Sequence, residues 1–300
     1  MQIGFVGLGK MGGNMVHRIK RDSDHDVVAF DFNEEAVKKA EEVGGRGASS
    51  LEDLVAKLDA PRVVWVMVPS GDPTSETVAK LGELLSEGDV IVDGGNSNWH
   101  EDVERGKALA EQNINYVDVG TSGGVWGLEV GYCMMVGGTD DGVAILKPIL
   151  DVLAPPDGWQ HFGPSGAGHY VKMVHNGIEY GMMQAYAEGF ELMHRSQFPI
   201  KLEEVAKVWN QGSVIRSWLC ELAERAFAAE GNDLEAIKGY VSDSGEGRWT
   251  VVDAIDNDVP MPVLSAALAA RYYSRGNGDY TARVLSALRN QFGGHAVERS

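Results

Sequence analysis

Four polar side chains recur at helical spacing in the segment 172–180 of this sequence: Lys172, His175, Asn176 and Glu179. Positions i, i+3, i+4 and i+7 of a helix fall within an arc of roughly 100°, so the four groups would share one face. They climb about 10 Å at 1.5 Å per residue, which is comparable to the length of a small sugar acid. Such a face could apply a base to one end of a substrate and an acid to the other. The spacing alone leaves open a solvated polar stripe.

A glycine-rich turn near the N-terminus is typical of dinucleotide-binding proteins. The segment 2–6 (QIGFV) predicts a short buried strand, and G-x-G-x-x-G follows it at the start of a predicted helix. Gly7 would permit the tight turn, Gly9 the approach of a pyrophosphate, and Gly12 close packing of helix on strand. The anion would lie on the unpaired N–H groups of the helix N-terminus. The predicted cofactor-binding residues of this turn are Gly7, Leu8, Gly9, Lys10, Met11 and Gly12.

Asp31 closes the next predicted strand, 27–30, about 20 residues after the turn. A carboxylate there accepts hydrogen bonds from both ribose hydroxyls and repels a 2'-phosphate. The nearby Lys38 and Lys39 do little to reverse this preference, because they lie well inside the following helix. The sequence therefore predicts NAD as the cofactor in preference to NADP. The alternative is that Asp31 only ends the strand or caps the next helix.

Length and charge restrict the class of protein. The 300 residues exceed one ordinary domain, and an apolar fraction of 44% predicts a globular chain with a sizeable core. The formal net charge of −18 argues against a nucleic-acid partner or an anionic membrane surface, because phosphate groups attract lysine and arginine. An anionic substrate would have to be held by local cations.

The two cysteines, Cys133 and Cys220, lie in a predicted strand and a predicted helix without metal-ligand spacing. Both are expected to be buried thiols, and no cluster of carboxylates or histidines suggests a metal site. No signal peptide precedes the first strand, and no run of 18 or more apolar residues could span a bilayer. We therefore expect a cytoplasmic protein.

Apolar runs alternate with helical patterns through the first half of the chain. Strands are predicted at 62–68, 89–92, 115–118 and 131–136, and helices at 74–85, 99–112 and 140–150. After Pro164 the periodicity is helical to the end. This pattern predicts an N-terminal α/β domain of the Rossmann type over 1–163, with a doubly wound, mostly parallel sheet. An all-α domain for substrate binding and dimerisation, with a C-terminal tail, would follow over 164–300.

Loops at the carboxyl ends of three predicted strands are rich in small or polar residues. Ligands of such sheets bind at these ends. Taken singly, each loop is as readily a structural turn; taken with the glycine turn, they predict contacts to cofactor or substrate. The residues concerned are Val68, Pro69, Asn96, Ser122, Gly123 and Gly124, of which the last two could hold a carboxylate on their N–H groups.

Three motifs together carry a family resemblance. DGGNS at 93–97, SGG at 122–124 and above all GHYVKMVHNGIEY at 168–180 resemble the decarboxylating 6-phosphogluconate dehydrogenases. The resemblance covers nearly the whole chain. Its most specific part is 174–180, because the wider β-hydroxyacid dehydrogenase family shares the lysine and an asparagine but not the Glu-Tyr pair. The chain is similar to the compact form that lacks the second helical half, in which an acidic residue at the position of Asp31 implies NAD.

The resemblance implies roles along the polar face. Lys172 would be the general base and Glu179 the general acid, while His175 and Asn176 would hold substrate or nicotinamide. The reaction would be oxidation of 6-phosphogluconate at C3, loss of carbon dioxide and protonation at C1, which gives ribulose 5-phosphate. Lys172 must start as the neutral amine, which burial or a neighbouring cation would favour. Because the protonated lysine then serves as the electrophile, we expect no metal.

The resemblance also implies residues that bind the substrate phosphate: Tyr180, Arg271 and Arg289 would bind it, and His295 in the C-terminal tail would join them. In the family that tail completes the active site of a neighbouring subunit, which implies a homodimer or homotetramer. One departure concerns the loop before Trp249. Where long forms have a phosphate-binding lysine and threonine in this loop, this chain has the segment 243–248 (DSGEGR). Glu246 would repel a phosphate, so either Ser244 and Arg248 take over or the loop is placed differently.

Two alternatives remain. A non-decarboxylating β-hydroxyacid dehydrogenase, for example one acting on 3-hydroxyisobutyrate, would keep Lys172 but would not use an acid at Glu179 or phosphate-binding arginines. A catalytically silent NAD-binding sensor or structural subunit would keep the glycines and lose the lysine.

Overall fold

A computed structural model describes residues 1–293, 296 and 298 of the chain. It contains two compact units, Met1–Met173 and Val174–Ser300. The division falls inside one continuous helix, Ala167–His194, whereas the sheet of the first unit ends at Gly163. The functional boundary expected at residue 163 stays a prediction.

The first unit is built on one eight-stranded sheet. Its strands are β1 Gln2–Val6, β2 Asp26–Phe30, β3 Arg46–Gly47, β4 Val63–Val66, β5 Val90–Asp93, β6 Asn115–Ser122, β7 Cys133–Gly138 and β8 Trp159–Gly163. They lie in the order β3-β2-β1-β4-β5-β6-β7-β8, and every neighbouring pair is parallel except β6 with β7. The prediction of a mostly parallel, doubly wound sheet is confirmed.

Helices follow the strands of this unit: α1 Lys10–Asp22, α2 Glu34–Glu42, α3 Leu51–Ala56, α4 Asp72–Leu84, α5 Trp99–Ala110, α6 Gly127–Val130 and α7 Asp140–Leu153, with a 3-10 turn at Gly124–Trp126. Alternate residues of a strand belong to different apolar clusters: Val63 and Trp65 to one, Val64 and Val66 to the other. Since side chains alternate across a strand, both faces of the sheet are covered.

The second unit contains most of α8 (Ala167–His194), followed by α9 Leu202–Trp209, α10 Trp218–Glu230, α11 Glu246–Asp256, α12 Pro262–Ser274 and α13 Asp279–Gly293. No strand follows Gly163 among the described residues, as predicted. One apolar cluster packs Phe190 of α8 against Leu202 and Phe227, and a smaller one contains Tyr180, Ala267 and Leu268.

The sequence did not predict β3, α3 or β8. The expectation for one cysteine was wrong: Cys133 is exposed, because it is the first residue of β7 and only the residues after it are covered, whereas Cys220 is buried in the helical unit. Within the part of the chain that the structure describes, none of the helices combines the length and the apolar composition that crossing a membrane requires.

Candidate active site

The glycines of the N-terminal turn meet three different steric demands. Gly7 has a φ of +93°, and a Cβ there would lie 2.6 Å from the carbonyl oxygen of Met67. A Cβ on Gly12 would lie 2.1 Å from the carbonyl oxygen of Gly7, so only glycine lets α1 start so close to the strand. Gly9 faces open space and no side chain caps α1. The helix N-terminus therefore has room for an anion.

Asp31 ties the end of β2 to this turn. Its Oδ2 accepts a hydrogen bond from the backbone N–H of Leu8 at 2.7 Å, and its Oδ1 accepts one from the N–H of Asn33 at 2.8 Å. The two bonds fix the plane of the carboxylate, and each oxygen keeps a second lone pair for a ligand. The side chain of Leu8 is buried in the core, so this residue contributes its backbone.

A cleft of about 610 Å³ lies beside the turn at the carboxyl ends of β1, β2 and β4. The predicted cofactor-binding residues that line it are Gly7, Gly9, Lys10, Met11, Gly12, Asp31, Val68, Pro69 and Asn96. Phe32 lines it too, with 90% of its surface exposed, and its ring meets Phe30 edge-on at 5.4 Å. The sequence interpretation missed this residue, although an aromatic side chain directly after the acidic strand end was a signal. The volume of the cleft, the open anion position at the N-terminus of α1 and the acidic residue at the end of β2 all fit NAD.

The start of α8 packs against the sheet with almost no space between backbones. A Cβ on Gly168 would lie 2.5 Å from the carbonyl oxygen of Met135, and one on Gly120 of β6 would lie 2.3 Å from the Cβ of Lys172. Lys172 is 8% exposed. The stem of the predicted base is thus held directly on a strand, two residues before the predicted substrate loop at Ser122.

A buried polar network underlies this end of α8. His169 Nδ1 lies 2.7 Å from Asp102 Oδ2, and the other oxygen of Asp102 accepts from the Tyr116 hydroxyl at 2.7 Å. Asp118 accepts the backbone N–H groups of Gly166 and His169 at 2.7 and 2.8 Å, which anchors the first turn of the helix. His169 Nε2 has no hydrogen-bond partner among the described residues.

Charges in this network favour a cation at His169. Burial alone would lower the pKa of His169, but the charge and hydrogen bond of Asp102, together with the charges of Asp93 and Asp118, outweigh it and raise the pKa to about 10. His169 therefore supplies a positive charge one helical turn before Lys172. A neighbouring cation is what the predicted neutral base at Lys172 would need, and that role of Lys172 stays a prediction. The sequence interpretation assigned His169 no role, because its partners lie about 50 to 70 residues away in sequence.

The same network contains the one group of potential metal ligands found among the described residues: Asp93, Asp102 and His169, with ligand atoms within 4.8 Å of one another. These groups already form hydrogen bonds with other residues. Asp93 Oδ2 accepts from Ser97 Oγ at 2.7 Å and from Arg105 at 3.2 Å. The expectation that no metal takes part stays a prediction.

In the helical unit, α8 holds two adjacent polar residues against α11. His175 Nδ1 lies 2.8 Å from Asn176 Oδ1, and Asn176 Nδ2 donates to Glu246 Oε1 at 2.6 Å. Asn176 and Glu246 are both buried. The Glu246 carboxylate contacts Asn176, and the two alternatives for the phosphate loop both remain predictions. Glu179, one turn after Asn176, is half-buried.

The predicted phosphate-binding residues meet in the same unit. The Arg271 guanidinium stacks 3.6 Å from the centre of the Tyr180 ring and donates to the Ser242 carbonyl at 2.8 Å. The N–H of Ser244 donates to the Tyr180 hydroxyl at 3.2 Å. Arg248 instead forms an ion pair with Asp243 at 3.1 Å. Tyr180, Ser244 and Arg271 are therefore brought together.

The remaining predicted residues lie elsewhere. Ser122 ends β6, and Gly123 and Gly124 follow it with φ values of +133° and +53°, so both adopt conformations that favour glycine. Arg289 is exposed on α13. His295 lies outside the described residues.

Two family models match consecutive parts of the chain. One, described as the NAD binding domain of 6-phosphogluconate dehydrogenase, matches residues 2–163, and the other, described as the C-terminal domain of that enzyme, matches residues 168–287. The chain belongs to the 6-phosphogluconate dehydrogenase family. Within this family, the chain is 47% identical to a Haloferax volcanii protein named NAD(+)-dependent, decarboxylating 6-phosphogluconate dehydrogenase, over 100% of this chain and 99% of that protein.

Solved structures agree on the fold. The Plasmodium falciparum 6-phosphogluconate dehydrogenase, determined with its cofactor NADP+ and with its substrate, has a TM-score of 0.85 and 29% identity. The match covers 100% of the present chain and 66% of the longer Plasmodium falciparum chain. A 3-hydroxyisobutyrate dehydrogenase from Salmonella typhimurium has a TM-score of 0.75 at 22% identity, covering 93% of this chain and 95% of its own, and shows the shared fold alone.

Proposed function

We propose that this protein catalyses the oxidative decarboxylation of 6-phosphogluconate to ribulose 5-phosphate and carbon dioxide, with reduction of NAD. The assignment rests on helix α8, which holds a buried Lys172, Asn176 and a half-buried Glu179 at positions i, i+4 and i+7. A base and an acid about two turns apart on one helical face suit a reaction that removes the proton of the 3-hydroxyl and later adds a proton to the carbon that loses the carboxylate.

NAD is the cofactor that the first unit fits, and when bound it supplies the acceptor for the C3 hydride. Asp31, held by the N–H groups of Leu8 and Asn33, is placed to accept bonds from the ribose hydroxyls. A 2'-phosphate would be repelled there. The acidic strand end agrees with the NAD dependence named for the Haloferax volcanii relative.

Lys172 acts twice in the proposed mechanism. As the neutral amine it takes the proton of the 3-hydroxyl while hydride leaves C3, which produces the 3-keto acid and an ammonium group. The ammonium then donates to the 3-keto oxygen as the C1–C2 bond breaks, so the bonding electrons are delocalised into an enediol and carbon dioxide departs. Glu179 donates a proton to the carbon that carried the carboxylate, and the enediol becomes the ketose phosphate.

The remaining residues bind the substrate. Asn96, Ser122, Gly123, Gly124, His175 and Asn176 would contact its carboxylate and hydroxyl groups. Tyr180, Ser244 and Arg271 would bind its phosphate, because a guanidinium fixed by stacking and by the Ser242 carbonyl presents its other N–H groups in a rigid plane. Arg248 is held by an ion pair with Asp243, which also pairs with Arg275, and would contribute less.

A homodimer or homotetramer with a shared site is part of the proposal. Large apolar side chains of the helical unit are exposed in the single chain, among them Leu192, Val214 and Tyr280. Such surfaces are typical of subunit interfaces. Arg289, exposed on the last helix, and His295 in the tail would complete the phosphate site of the neighbouring subunit.

Purified protein supplied with 6-phosphogluconate and either cofactor tests this function, with reduced cofactor and carbon dioxide measured together. We expect equal amounts of both products and a higher kcat/KM with NAD than with NADP. Lys172→Met should lower kcat by about 10²–10⁴-fold. Lys207→Met, which changes an exposed lysine of α9, should leave it unchanged. Reduced cofactor without carbon dioxide would favour the simple dehydrogenase, and NAD binding without turnover would favour the silent protein.

A further inference from the structure

Glu246 is a buried carboxylate for which the proposed reaction has no step. It is the first residue of α11, and only 4% of its surface is exposed. The N-terminus of this helix favours a negative charge through its dipole, which offsets part of the cost of burial. The Glu246 carboxyl group lies beside Asn176, one of the residues that would hold the substrate.

Glu246, Asn176 and His175 form a chain of three side chains. Glu246 Oε1 accepts from Asn176 Nδ2 at 2.6 Å. The other end of the same amide, Asn176 Oδ1, lies 2.8 Å from His175 Nδ1. All three residues lie in the helical unit.

The contacts of the three groups correspond to one arrangement of protons. The NH₂ group of Asn176 faces Glu246, and a carboxylate oxygen accepts the hydrogen that it donates. A reversed amide would put a carbonyl oxygen 2.6 Å from a carboxylate oxygen in a buried place, with strong repulsion. The Asn176 carbonyl must then face His175, whose Nδ1 has to carry a hydrogen. In neutral His175 the Nε2 atom is left without one and acts as an acceptor.

We propose that Glu246 is a positioning residue that, through Asn176, fixes His175 as the Nδ1–H tautomer and makes its Nε2 an acceptor for a substrate hydroxyl. The hydroxyl part of this inference rests on the proposed function, because a polyhydroxy acid offers such donors. The tautomer part does not depend on the substrate. Glu246 thus selects a donor group on the ligand without touching it.

The tautomer is measured on the intact, ligand-free protein by ¹⁵N NMR of histidine-labelled samples, with the His175 signals assigned from their loss in His175→Gln. We expect the Nδ1–H form in the wild type. Glu246→Leu should shift the population toward Nε2–H, whereas Glu246→Gln, whose side-chain oxygen still accepts from Asn176, should retain Nδ1–H. An Nε2–H wild type, or a Glu246→Leu variant that keeps Nδ1–H, would overturn the assignment.

Kinetics with 6-phosphogluconate give the second readout. Glu246→Leu should raise KM for this substrate about tenfold, the loss of roughly one hydrogen bond, with KM for NAD unchanged. Glu230→Leu, at an exposed carboxylate ending α10, is the matched control and should change neither. An unchanged KM in Glu246→Leu refutes the hydroxyl contact. Should the wild type fail to turn over 6-phosphogluconate, the proposed function fails, while the NMR result still decides the tautomer.

Discussion

His169 and Lys172 lie three residues apart on α8, so we expect the charge of the first to influence the protonation of the second. The groups that face His169 come from three other elements: Asp93 of β5, Asp102 and Arg105 of α5, and Tyr116 and Asp118 of β6. With His169 protonated, three carboxylates face two cations. Removing that cation makes the surroundings of Lys172 more negative and favours its ammonium form.

His169→Asn isolates this charge, because the asparagine amide can still donate to Asp102 but is never a cation. We expect the acid limb of the kcat/KM profile to move to higher pH by roughly one unit, since the neutral amine of Lys172 is then populated only at higher pH. His194→Asn, at the exposed far end of the same helix, is the control and should leave the profile in place. An unmoved limb in His169→Asn would show that His169 does not act on the base.

The pH dependence of the free energy of unfolding gives a second test of the charge on His169. The pKa of His169 is raised from 6.5 to about 10 in the folded chain, so its contribution to the free energy of unfolding is fully present below pH 6.5. That contribution is lost as the pH rises through about 10. Denaturant titrations should show this loss in the wild type and not in His169→Asn.

At the scale of the elements, patterns contiguous in sequence were predictable. Runs of β-branched residues identified β4 and β5, and the glycine spacing identified the turn between β1 and α1. β8 was missed because its burial alternates at the sheet edge around polar residues such as Gln160. The network at His169 was missed for another reason: its members come from four elements that only the folded sheet brings together.

The contact between α8 and β6 tests how closely an element must be held for catalysis. Gly120→Ala would put a methyl group 2.3 Å from the Cβ of Lys172, which forces the helix or the strand to move. Because a shift of about 1 Å in a catalytic group can cost about 10²-fold, we expect kcat to fall by that order. The shift in position can be confirmed by crystallography of the variant.

Gly189→Ala is the matched control for this substitution. Gly189 lies on α8 too, and a Cβ there would meet no atom within 4 Å. Alanine should stabilise the helix by about 0.5–1 kcal/mol and leave kcat as it was. If both alanine variants were equally active, the close approach at Gly120 would have no catalytic importance.

For the whole molecule, the question is whether one chain contains a complete site. Tyr180, Ser244 and Arg271 meet within the helical unit, whereas Arg289 is exposed on α13. The motif around Arg289 could be recognised in the sequence, but the residue spacing within one chain does not predict a contact between subunits. The shared site therefore has to be tested by experiment on the assembly.

Mixing two inactive variants distinguishes a shared site from a self-contained one. In a two-fold dimer of Lys172→Ala with Arg289→Ala subunits, one site combines the intact lysine of one subunit with the intact arginine of the other. Random exchange of equal amounts makes half the dimers mixed, so about 25% of wild-type activity should return. If Arg289 served its own subunit, every site would lack one residue and no activity would return.

Arg283→Ala, at another exposed arginine of α13, should be active alone and serves as the control for the substitution itself. Exchange is verified by mass spectrometry of differently tagged subunits, so that a mixture shown to contain mixed dimers and still inactive decides against the shared site.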